Sequence, residues 1–130
     1  NTLTYENLHE TKKHVSIQFP YNTYLCSIPL DFTQVPLHWH NDVEIIVIKK
    51  GCGIISVDTE PRVVKAGDIV LVRPGQLHSI SQHEKDCMEY ENILFQTSLL
   101  YSADSDSRTV GYFQPYFSLE YELPWLFDDT

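Results

Sequence analysis

Basic residues are scarce in this chain. Nine lysines and arginines stand against 18 aspartates and glutamates in 130 residues, a formal charge of −9 with the histidines neutral. Phosphate backbones are gripped by clustered cations, and the only adjacent basic pairs are Lys12-Lys13 and Lys49-Lys50. This stretch is therefore not expected to bind nucleic acid by itself. Long apolar runs are also missing: none approaches the ~20 residues of a membrane span. The start has no basic-then-apolar leader, so the expectation is a cytoplasmic location with no membrane contact. Cysteine is sparse, with Cys26, Cys52 and Cys87 and no Cys-x-x-Cys pair. An odd count without close spacing fits reduced packing thiols better than a disulfide framework, and no base is placed beside any of them by the sequence. There is no nucleophile elbow, phosphate loop or paired-carboxylate arrangement. The first residue is Asn rather than Met, which reads as a fragment or a processed product.

What is present is an ordinary globular composition, 42% hydrophobic and 21% charged, at a length that suits one domain. Turn signals interrupt the middle of the chain at short intervals: Lys49 to Gly53, Asp58 to Pro61, Lys65 to Asp68, Arg73 to Gly75 and His83 to Asp86. Between them lie runs rich in Val and Ile, namely Glu44 to Ile48, Ile54 to Val57, Arg62 to Val64, Ile69 to Val72 and Glu91 to Phe95. Such runs favour strands. Repeating about every ten residues, they predict an all-β antiparallel sandwich or small barrel. Two earlier strands are expected at His14 to Phe19 and Tyr24 to Ile28. Ile45 to Ile48 is apolar on both faces and is expected to be buried on both sides. Beyond residue 96, Ser98 to Tyr101 could start a short helix, and Ala103 to Arg108 reads as a mobile loop. An aromatic stretch from Tyr112 to Phe127 is too apolar for a free tail. The division is thus a barrel over 1–96 and a short, partly helical extension over 97–130, packed on the barrel or on a partner.

The densest chemistry lies in His38-Trp39-His40-Asn41-Asp42-Val43-Glu44 and in Pro74-Gly75-Gln76-Leu77-His78. Side chains alternate faces along a strand, so His38 and His40 point the same way, ~6.6 Å apart. Glu44 shares their parity, but the pleat carries it away unless the strand bends. His78 would join from the strand after the Pro-Gly turn. Three imidazoles and a carboxylate suit a divalent metal, or equally the polar lining of a small-molecule pocket. Trp39, of opposite parity, is expected to pack on the outer sheet face. Arg73 reads as a solvent-facing turn residue and Asp68 as turn chemistry. Tyr90 and Asn92 lie on a strand whose parity is not fixed.

Taken together, His38-x-His40-x3-Glu44-x6-Gly51 and Gly67-Asp68-x5-Pro74-Gly75-x2-His78 resemble the two motifs of the cupin superfamily. The resemblance covers roughly residues 30 to 96 and implies a cupin-type antiparallel β-barrel or jelly roll. It would make His38, His40, Glu44 and His78 the metal-ligand positions, for Zn, Ni, Fe or Mn. Phe32 stands where the first motif usually opens with Gly, Arg73 where Pro is frequent, and Gln82 where Asn often follows the final His. These departures bear on the metal more than on the fold. The wording from Leu37 to Ile46, then Lys50 to Gly53, then Gly67 to Ser79, is similar to the N-terminal sensor half of AraC-type transcription regulators. That resemblance implies a non-enzymatic domain that binds a small effector, often a sugar, and pairs subunits as a homodimer. The DNA-binding helix-turn-helix half would be absent from this chain. On this reading His38, His40, Glu44 and His78 are ligand-binding residues and no cofactor is needed. The alternative is a metal-dependent cupin enzyme, of dioxygenase or sugar isomerase type.

Overall fold

The computed structural model of the chain describes residues 5–10, 21–97, 119 and 122–128. A single 3-10 turn, Glu6–Leu8, precedes eight strands: β1 (Tyr21–Ile28), β2 (Gln34–His38), β3 (Val43–Val57), β4 (Glu60–Lys65), β5 (Ile69–Val72), β6 (His78–Ser81), β7 (Met88–Phe95) and β8 (Leu126–Phe127). All strand pairs are antiparallel. One sheet runs β1-β7-β3-β5-β8; a second places β6 between β2 and β3, with β4 on the other side of β3.

The strand common to both sheets is β3, and it organises the barrel. Its first half pairs with β5 and β7, and its second half, from Cys52, pairs with β4, while Ile54 to Val57 also pairs with β6. Between the halves the register against β7 slips by one residue: Ile48 faces Tyr90, whereas Lys50 faces Glu89. Lys49 is the extra residue of a β-bulge. Before it, the even-numbered Glu44, Ile46 and Ile48 are buried; after it, the odd-numbered Gly53, Ile55 and Val57 are. The bulge thus shifts the parity of the inward-facing residues by one, at the point where the strand changes sheets. Lys49 to Gly53, expected as a turn, is corrected accordingly: its residues stay in the ladder, and its Lys and Gly content marks a bend within one 15-residue strand. Gly51 has φ of 72°. A Cβ there would stand 1.9 Å from the Cys87 carbonyl oxygen, so both conformation and close approach require glycine.

Ile28, Ile46, Ile48, Ile55, Val57, Val64, Val70, Val72, Ile80, Met88 and Tyr90 form one core. Ile45 and Val47, on the other face of β3, are only half-buried. Asp58 and Thr59, with φ of 51° and 67°, make the two-residue hairpin linking β3 to β4. From the segment after residue 96, β8 pairs with β5, and the Leu71 amide donates to the Trp125 carbonyl at 2.8 Å. The expected strand at His14 to Phe19, the helix start at Ser98 to Tyr101, the loop at Ala103 to Arg108 and most of the aromatic stretch lie outside the described residues.

Candidate functional site

The chain does not run as one strand from His38 to Glu44. β2 ends at His38, the backbone bends through His40, Asn41 and Asp42, and β3 begins at Val43. This bend returns Glu44 to the histidines, against the distance that an unbroken pleat would impose. His38 pairs with His78 across β2 and β6. The His38 and His78 rings are 4.1 Å apart between centroids, those of His40 and His78 4.9 Å, and those of His38 and His40 5.6 Å. His78 is 1% exposed, and His40 and Glu44 are each 4% exposed. All four residues singled out by spacing therefore meet at one buried place.

Each imidazole is aimed by the main chain. The Nδ1 of His38 lies 2.8 Å from the Pro36 carbonyl, that of His40 3.1 Å from the Asp42 carbonyl, and that of His78 3.0 Å from the Gln76 carbonyl. Nδ1–H donation to these carbonyls turns every Nε2 away from the backbone. The Nε2 of His40 is 2.9 Å from Glu44 Oε1. That of His78 is 3.3 Å from the same oxygen but makes no hydrogen bond. The Nε2 of His38 faces Glu10 Oε2 at 3.2 Å. Asn92 Nδ2 donates to Glu44 Oε2 at 3.4 Å, and Asn92 Oδ1 is buried without a partner.

Burial opposes ionisation of Glu44, yet the adjacent His40 and His78 outweigh it and hold the carboxyl well below the ordinary carboxylate range. Burial likewise works against a charged His38, but Glu10 and the Pro36 carbonyl raise its pKa above the usual histidine value. His38, Glu44 and His78 line a cavity of about 280 Å³, whose other walls include Tyr24, Phe32, Ile80, Tyr90 and Leu94; His40 stands behind them, bonded to Glu44. Tyr90 and Asn92 both point inward, which settles their parity.

One neighbour differs from expectation: Arg73 is not a solvent-facing turn residue; it is 6% exposed. Beside it, Gln76 accepts from the Arg73 amide and donates to Asp58, both at 2.8 Å, while its own carbonyl holds His78. Gln76 was visible only as a letter between Gly75 and His78, and its role depends on burial that spacing does not reveal. Trp39 is stacked between Tyr5 at 4.3 Å and His9 at 4.1 Å, and its indole N–H donates to the Tyr5 carbonyl. Glu10 carries no motif and reaches the cavity only because the Leu8 carbonyl and Glu10 amide pair with the Trp39 main chain. Asp68 closes its turn by accepting from the Lys65 amide at 2.9 Å, as turn chemistry requires.

The donor set also fits a metal ion. The ligand atoms of His38, His40 and His78 lie within 4.8 Å of one another. Carbonyl-anchored Nδ1–H groups are the usual way a protein orients metal-binding imidazoles, and the His78 Nε2 makes no hydrogen bond.

Comparison with known proteins identifies the relatives. The family model for AraC-like ligand binding domains matches residues 30–128. The chain is 28% identical, over 123 residues, to an uncharacterized HTH-type transcriptional regulator, YdeC, of Bacillus subtilis strain 168; the match takes in 94% of this chain and 41% of that protein. Its fold is similar to a cupin protein from Bacteroides fragilis, with a TM-score of 0.57 and 24% identity over 69% of this chain and 75% of the other. It is also similar to a predicted oxalate decarboxylase from Thermotoga maritima, with a TM-score of 0.56 and 23% identity over 62% and 70%. These structures establish the all-β cupin barrel that the two motifs imply.

Proposed function

The chain belongs to the family of AraC-like ligand-binding domains, and from that premise we propose that it is the effector-sensing, non-enzymatic domain of a transcription regulator whose helix-turn-helix part lies elsewhere in the protein. One observation carries the choice of ligand. Among the described residues, the buried side-chain polar atoms without a partner are His78 Nε2 and Asn92 Oδ1, and both residues line the cavity. A buried polar group left unpaired is costly. Asn92 Oδ1 is an acceptor, and His78 Nε2 is a second polar atom left open toward the cavity. Both are completed by a ligand bearing hydroxyl groups, which donate to the amide oxygen and can either donate to or accept from the imidazole. The volume suits a single-ring molecule, and Tyr90 and Leu94 offer apolar walls to its C–H surface. The ligand class is therefore a monosaccharide or similar polyol. A ligand reaching His38 competes with Glu10, and so favours one arrangement of the N-terminal segment over another. Homodimer formation through this domain is part of the same proposal.

Isothermal calorimetry against monosaccharides, polyols and small carboxylic acids tests it. One hydroxyl-rich ligand is expected to bind, with loss of about tenfold or more on Asn92→Leu. A panel in which only acids bind, or none does, overturns the ligand assignment.

The convergence of three oriented Nε2 atoms favours a second reading, a metal-dependent cupin enzyme. His38, His40 and His78, with Glu44 beside them, would hold a divalent ion, which would supply Lewis-acid or oxygen chemistry. Elemental analysis of protein purified without a metal-affinity column decides it. Substoichiometric metal, unchanged in His38→Ala, counts against this reading.

A further inference from the structure

A second group of metal-ligating side chains lies on the outside of the barrel. Cys52 stands on β3 just past the bulge, and His83 and Asp86 sit in the turn between β6 and β7. Asp86 Oδ2 is 3.0 Å from the Cys52 sulfur and 2.9 Å from His83 Nδ1, and the sulfur is 3.9 Å from the same nitrogen. Cys52 is 31 residues from His83 and 34 from Asp86 in sequence, and no packing requirement selects a thiol, an imidazole and a carboxylate together. We propose that Cys52, His83 and Asp86 form a binding site for a zinc-class divalent ion, separate from the histidine cluster in the cavity.

The geometry supports it in three ways. Tetrahedral zinc, with bonds near 2.0–2.3 Å, separates its donor atoms by about 3.3–3.6 Å. The three observed separations lie within about 0.6 Å of that range, and the two short ones are hydrogen bonds that an ion replaces. The scaffold is fixed before binding: the Cys52 amide donates to the Cys87 carbonyl at 3.1 Å, the Asp86 amide to the His83 carbonyl at 2.9 Å, and the Gln82 side chain to the Asp86 carbonyl at 3.0 Å. The donor set, one sulfur, one nitrogen and one oxygen, matches borderline ions such as Zn(II) and Co(II) rather than Mg(II) or Ca(II). A fourth position is open to water.

The same atoms do not make a nucleophile and its base. The imidazole nitrogen makes its short bond to Asp86 at 2.9 Å and only a long 3.9 Å contact to the sulfur, and a thiol donating to a carboxylate is held protonated. Metal binding reverses this: the Cys52 thiol gives up its proton to solvent, its sulfur bonds the ion, and the carboxylate contacts the metal instead of the S–H. The ion would tie the β6–β7 turn to β3, so the folded state gains stability with metal concentration.

Cobalt(II) titration of the reduced protein supplies the test, because a thiolate–cobalt charge-transfer band in the near ultraviolet cannot arise from histidines alone. One equivalent is expected to saturate the band, and zinc to abolish it. Cys52→Ser is expected to lose the band, and His83→Gln to weaken cobalt binding by at least about tenfold, with unchanged circular dichroism in both. Cys26→Ser and Cys87→Ser are expected to keep it. No band at one equivalent, or a band that survives Cys52→Ser, overturns the proposal. Neither outcome touches the calorimetric test of the cavity.

Discussion

At the scale of single residues, Glu44 is the charge on which the cavity floor depends. It is buried between His40, His78 and Asn92, and removing one member of such a set leaves the others unpaired. Glu44→Leu is expected to destabilise the fold by about 3 kcal/mol in chemical denaturation. The sign of its pH dependence follows from its depressed pKa. The stabilising contribution is complete above the unfolded carboxylate value, about 4.5, and declines as pH falls toward the lower folded value. Wild-type stability should drop between about pH 5 and 3, and Glu44→Gln should flatten that slope. A slope equally steep in both proteins would show that other carboxylates carry it.

Among the elements, β3 sets the site by its length and its bulge. Deleting Lys49 would leave Ile55 and Val57 in phase with Ile46 and Ile48 in an unbroken period of two, but would remove the bulge that bends β3 from one sheet into the other; the expected product unfolds at a lower temperature than wild type in thermal melts. Gly51→Ala meets the Cys87 carbonyl and is expected to cost about 2–4 kcal/mol in thermal or urea unfolding. The legibility of the sequence divides along the same line. The short Val- and Ile-rich strands and the shared side of His38 and His40 could be read from alternation and spacing, because period two and turn residues are local signals; Glu44 rejoins them only through the bend at Asn41 and Asp42. The bulge at Lys49 could not, since Lys-Lys-Gly-Cys-Gly looks the same in a turn and in a bent ladder. Nor could the burial of Arg73, the support of His78 by Gln76 or the meeting of Cys52 with His83: these are set by which strands become neighbours.

For the whole molecule, the question is how the segment before the barrel is held to it. Glu10 and His38 form one ion pair across the two, and the pair needs a charged imidazole. His38 has a raised pKa, so this stabilisation is fully present below the unfolded histidine value of about 6.5 and is lost as pH rises through the higher folded value. The stability gap between wild type and Glu10→Gln should therefore be at most about 1 kcal/mol near pH 6 and should close near pH 9. A gap that widens with pH would contradict the assignment. At the other end of the chain, Trp125 and Leu126 pack on the core, and Trp125→Ala is expected to lower stability by about 3 kcal/mol in urea unfolding.

The stack of Tyr5, Trp39 and His9 has a practical consequence. Only two tryptophans are present, and Trp39 sits between His38 and His40 in sequence while facing the N-terminal segment in space. Its indole is an intrinsic optical gauge of that segment. In Trp125→Phe protein all tryptophan emission comes from this position, so effector binding that shifts Glu10 away from His38 should change its intensity or wavelength without any added dye.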